Sequence, residues 1–145
     1  MSSANPPSQS LGFLLKRAQH AFRTRVDNVL RPFELTAPQF AVLTAVDRVT
    51  GISNAELARV AFVTPQTMQG ILTNLERAGL LTRSPHPQHG RILRSALTKQ
   101  GSQVLGQARQ CVQDVEQLIA DAIGPRYTTD FADMLSRCAD ELGAE

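Results

Sequence analysis

The sequence predicts a mainly α domain that carries one small β-hairpin, and three observations lead there. Apolar residues recur at helical spacing through six stretches, each bounded by capping or breaking residues. The period changes once, where "LLTRS" (80–84) and "RILRSAL" (91–97) flank the turn-forming insert "PHPQHG". The length, 145 residues, suits a single domain with a core of its own.

A first helix is expected over roughly 10–31, with Leu11, Leu14, Ala18, Phe22, Val26 and Val29 on one side and Pro32 as its stop. "TAPQ" (36–39) has capping-box spacing, Thr36 with Gln39, and opens a helix to about Val49 that Gly51 ends. "SNAE" (53–56) repeats that spacing with Ser53 and Glu56, opening a short helix to about Val60. Thr64 and Pro65 begin a helix over 64–78, and Gly79 sits where a C-terminal glycine belongs. Beyond the hairpin (81–97), Thr98 caps a long helix to about Ile123. Gly124 and Pro125 separate it from a last helix over about 126–142. Two short helices with a tight link make a helix-turn-helix, and a hairpin directly behind makes it winged. Residues 36–97 form that unit within the single domain 1–145.

The helix at 64–78 shows what such a unit is for. Met68, Ile71, Leu72 and Leu75 form its apolar stripe. The other side carries Gln66, Gly70, Thr73 and Arg77, flanked by Thr67, Gln69 and Asn74, and no charged residue lies between Arg59 and Glu76. A helix face meant for water uses Lys and Glu, which pair along the helix. Amides and hydroxyls suit base edges in the DNA major groove, where an acid would be repelled. Hydroxyls and backbone N–H groups at helix starts also donate to phosphates, which adds Thr64 and Ser53 to the candidates. Gly70 weakens a helix interior by about 1 kcal/mol against Ala. Close approach to DNA would explain it, and so would crowding against a neighbouring protein element.

Charge is distributed unevenly. Residues 1–113 hold 13 Lys/Arg against 5 Asp/Glu, a balance of +8, while residues 114–145 hold 2 against 8, a balance of −6. No acid occurs between Glu76 and Asp114, a stretch with Arg77, Arg83, Arg91, Arg94, Lys99 and Arg109. One end of the molecule is built to meet a polyanion. No apolar run approaches the ~18 residues of a membrane span. "MSSANPPSQS" lacks the basic and apolar regions of a signal peptide and reads as a frayed tail. Two cysteines suit a reducing cytoplasm.

"AELARVAFVTPQTMQGILTNLERAGLLTRSPHPQHGRILRSALTKQG" (55–101) resembles the core signature of the MarR family of winged-helix transcriptional regulators. The matching pieces are the "ELA" helix, the capped reading helix, "LERAGLLTR", a wing ending in Arg, and "LT..G" opening the long helix. The flanking helices also fit the family's layout. The resemblance implies a homodimer on a pseudo-palindromic DNA operator, acting as a repressor that a small aromatic or anionic effector releases. It further implies that the first helix and the last two (10–31 and 98–142) form the dimer interface. The wing tip would enter the minor groove through Arg91. The family wing usually reads Asp-x-Arg, whereas here His89 replaces the acid and Arg91 is kept, so the orienting role of the acid does not carry over.

The long helix independently suggests pairing. Val104, Ala108, Cys111, Val115, Leu118 and Ala122 alternate by four and three residues as in a coiled-coil seam, and Leu105, Val112 and Ile119 widen it. With Leu11 and Leu14 of the first helix and Phe131 and Leu135 of the last, these are the candidate dimerisation residues. Cys111 and Cys138 read as small buried hydrophobes. His86 and His89 have an HxxH spacing, but Pro87 between them and the lack of further ligands argue for DNA-facing or plain loop residues over metal. No Ser-His-Asp set, carboxylate pair or phosphate loop appears, so neither an enzyme nor a cofactor is expected. The alternative from another class is a winged-helix module for protein–protein assembly without specific DNA binding, which the acid-free basic run argues against.

Overall fold

A capping side chain starts each of the first five α-helices in the computed structural model, which describes residues 9–90 and 92–143. Helix α1 (Leu11–Leu30) opens on Ser10 and runs into a 3₁₀ turn, Arg31–Phe33, where Pro32 removes the donor that further α-helix would need. Helix α2 (Ala37–Arg48) has both halves of the predicted capping box: Gln39 N–H donates to Thr36 Oγ1 (3.3 Å) and Thr36 N–H to Gln39 Oε1 (3.0 Å). Helix α3 (Asn54–Val60) has one half. Ser53 accepts the Glu56 N–H at 3.2 Å, but the Glu56 carboxylate turns to Arg59 (4.0 Å).

Helix α4 (Pro65–Arg77) follows, then strands β1 (Leu81–Pro85) and β2 (Leu93–Leu97), antiparallel from Leu81↔Leu97 to Pro85↔Leu93. The second strand starts later than its sequence pattern suggests. His86 N–H donates to Ile92 O (2.7 Å) and Ile92 N–H to His89 O (2.9 Å), so the tip closes as a loop instead of a ladder. Helices α5 (Lys99–Ile123) and α6 (Thr128–Gly143) complete the chain. Among the described residues no helix is long and apolar enough to cross a membrane.

One core holds the helix-turn-helix to the long helix. Leu30, Val42, Leu43, Leu57, Met68, Leu72, Leu75, Leu81 and Leu105 are almost wholly removed from water. Each such side chain contributes about 1.5–3 kcal/mol of hydrophobic stabilisation. The junction between wing and long helix is tied by Thr98. Its hydroxyl donates to Gly79 O (2.6 Å) and accepts the Gly101 N–H (2.9 Å), while its own N–H donates to Leu80 O (3.1 Å). Gly101 is required there, since a Cβ would collide with the Leu80 carbonyl.

Two expectations are corrected by this packing. Ala108 and Val115, read as part of a seam between chains, lie in the core of the single chain, because that side of α5 faces α1 and α2. Val104 and Val112 pack partly against the same core, and Cys111 is half-buried. Cys138, read as buried, is exposed, since α6 lies on α5 and buries no residue. The outer apolar side chains Leu11, Leu14, Leu118, Ile119, Phe131 and Leu135 are all exposed.

Candidate nucleic-acid interface

Thr64 positions the start of α4. Its Oγ1 accepts the Thr67 N–H (3.1 Å) and donates to Thr67 Oγ1 (3.0 Å), which fixes both hydroxyls at the helix entrance. Met68, Leu72 and Leu75 anchor the opposite face in the core, so the outer face has a rigid support. Gln66, Thr67, Gln69, Gly70, Thr73, Asn74 and Arg77 are all exposed on that helix, as the sequence pattern requires. A Cβ built on Gly70 meets nothing within 4 Å. Crowding inside this chain therefore does not explain the glycine. Thr73 spends its hydroxyl proton on Gln69 O at 2.8 Å and keeps its lone pairs outward.

Ser53 is exposed at the start of α3, its Oγ already engaged by the Glu56 N–H. Arg91 lies outside the described residues. At the tip of the wing, His86 Nδ1 accepts the Gln88 N–H (3.0 Å), and the His86 and His89 rings stand 5.3 Å apart, centre to centre. Among the described residues no group of three or more His, Cys, Asp and Glu is placed to hold a metal ion.

Two predicted contact residues are committed elsewhere. Arg94 lies over the α2–α3 turn, with its Nε 3.3 Å from where a Cβ on Gly51 would be. Arg83, expected at the DNA, has a side chain only 13% exposed. It donates through Nη1 to Gln69 Oε1 (3.2 Å) and through Nη2 to Glu76 Oε1 (3.3 Å). Strand alternation carries the signal for this: Arg83 is two residues from the buried Leu81 and opposite the buried Ser95, on the inward face. The Arg83–Gln69–Glu76 bracket is the feature that residue types alone did not reveal. Another is Phe62, 95% exposed in the α3–α4 turn at φ 55, where a glycine would sit without strain.

Away from this face, α1, α5 and α6 enclose an open apolar groove of about 780 Å³. Leu15, Phe22, Leu118, Ile119 and Phe131 line it, with Gln19 and Arg25 as its polar members. Arg109 joins α5 to α2 through Asp47 (3.0 Å).

Known proteins share this arrangement. The sequence profile of the MarR family matches residues 33–92. The HTH-type transcriptional repressor Rv2887 of Mycobacterium tuberculosis (strain H37Rv) is 34% identical over 131 residues, covering 90% of this chain and 94% of its own. A structure of the Rv2887 protein in complex with salicylic acid superposes with a TM-score of 0.73 at 33% identity, over 95% of this chain and 99% of that one. The transcriptional repressor CouR, bound to a 23-mer DNA duplex, superposes with a TM-score of 0.84 at 28% identity, over 91% and 94%. With its capped reading helix, its hairpin wing and a relative this similar along nearly the whole chain, the protein belongs to the MarR family of winged-helix transcriptional regulators.

Proposed function

We propose that this chain is a homodimeric, sequence-specific DNA-binding repressor released by a small aromatic or anionic effector. The observation that carries the reading is the outer face of α4: exposed amides and hydroxyls around an open Gly70, on a helix fixed by its core side. In the major groove Gln66, Thr67, Gln69 and Thr73 meet base edges, while Ser53, Thr64, Asn74 and Arg77 lie nearer phosphates. Arg91, by its place in the sequence, is assigned to the minor groove. The exposed apolar side chains of α1, α5 and α6 are the surface for a second copy, which sets two reading helices on a pseudo-palindromic operator. CouR on its duplex and Rv2887 with salicylic acid support the two partner classes. Arg25 at the apolar groove supplies a cation that an aromatic acid could meet. The protein acts by binding, not catalysis, and works in the cytoplasm with its DNA.

The test is selection of operators from random duplexes, followed by titration with and without salicylate. A palindromic consensus bound by a dimer, and weakened by the acid, is the expected result. Binding that ignores sequence would refute the reading.

A further inference from the structure

Arg83 and Gln69 are joined by a chemistry that admits one orientation. A guanidinium has donors and no acceptor, so the Gln69 atom facing Arg83 Nη1 at 3.2 Å is its oxygen. Arg83 is not free to leave: its second arm meets Glu76 Oε1 at 3.3 Å, and the side chain is only 13% exposed. Gln69 thus stands on the outer part of α4 with its oxygen turned to Arg83 and its Nε2 hydrogens without a hydrogen-bond partner among the described residues.

That orientation bears on which base the residue can read. Glutamine recognises adenine with both ends of its amide, the oxygen accepting from N6–H₂ and the nitrogen donating to N7. Guanine offers two acceptors on the same edge, N7 and O6. We infer that Arg83 is a positioning residue which holds Gln69 as a donor, turning the reading helix away from adenine and toward guanine at the base Gln69 meets. The inference rests on α4 being the base-reading helix. Glu76 holds Arg83 in turn, so a specificity set at the DNA surface is fixed by an ion pair behind it.

The experiment selects operators from random DNA duplexes with wild type, Gln69→Ala, Arg83→Met, Arg83→Lys and Glu76→Ala, then measures affinity for duplexes with each base at the affected position. Wild type should prefer guanine there, and Gln69→Ala should lose the preference. Arg83→Met should move it toward adenine by about tenfold in relative affinity. Arg83→Lys, which keeps a donor, should hold the wild-type preference. Glu76→Ala should shift it in the same direction as Arg83→Met but less, and this exposed change reads the bracket even if Arg83→Met does not fold. If Gln69→Ala changes one position but neither Arg83→Met nor Glu76→Ala shifts its base, the inference fails while the reading helix stands. If Arg83→Met weakens all sequences equally with a shallower salt dependence, Arg83 is a phosphate contact and the inference fails. If Gln69→Ala alters no position, the assignment of Gln69 to a base fails first.

Discussion

Two glycines on this chain look alike in sequence and do opposite work. Gly70 sits mid-helix with open space where a side chain would be, and Gly101 sits under the Leu80 carbonyl. Gly70→Ala should therefore stabilise the fold, by about 1 kcal/mol on helix propensity, and yet weaken operator binding. Gly101→Ala should lower the melting temperature, because the first turn of α5 must move off the wing junction. Thermal denaturation and DNA titration of both variants check the pair; a Gly70→Ala protein that binds DNA as well as wild type would remove the close approach. Replacing Gln66 by Ala should cost about 1–3 kcal/mol per half-site and relax preference at one operator position. Affinities on operator and random duplexes distinguish that outcome from a uniform loss.

At the scale of elements, four helices are legible in the sequence because their starts are chemically marked: Thr36, Ser53, Thr64 and Thr98 all accept a backbone N–H three residues on. The apolar stripe of α4 predicted its buried side for the same reason. Deleting part of that stripe with Leu72→Ala should destabilise the protein by about 2–5 kcal/mol, read by chemical denaturation, since Leu72 is fully buried. The site was less legible than the fold. Charge alone points the basic residues of the acid-free run at DNA, but Arg83 turns to Gln69 and Glu76 and Arg94 lies over the turn at Gly51. Composition reports the sum of charges and not which of them an element turns inward. Period-two alternation on β1 held that information for Arg83. For α5 a wide apolar pattern served two surfaces at once, and periodicity did not divide Ala108 and Val115, on the inner side, from Leu118 and Ile119, on the outer.

The whole molecule leaves apolar side chains open on α1, α5 and α6 and a face of amides and hydroxyls open on α4. In the proposed dimer, a second copy covering the first would set two copies of the second at a spacing DNA can use. Leu118→Glu with Ile119→Glu should leave the single-chain core intact, break the dimer in sedimentation and abolish high-affinity binding. The measurement that tests this account most directly is binding of the full chain to a selected palindromic duplex, to the same duplex with one half-site scrambled, and to random DNA, over a range of salt. The account predicts one dimer per palindrome and a large loss when one half-site is scrambled. It also predicts affinity falling linearly in log–log form with salt, as charge neutralisation of phosphates requires. Equal affinity for all three duplexes, or tight binding of the palindrome by a monomer, would contradict it.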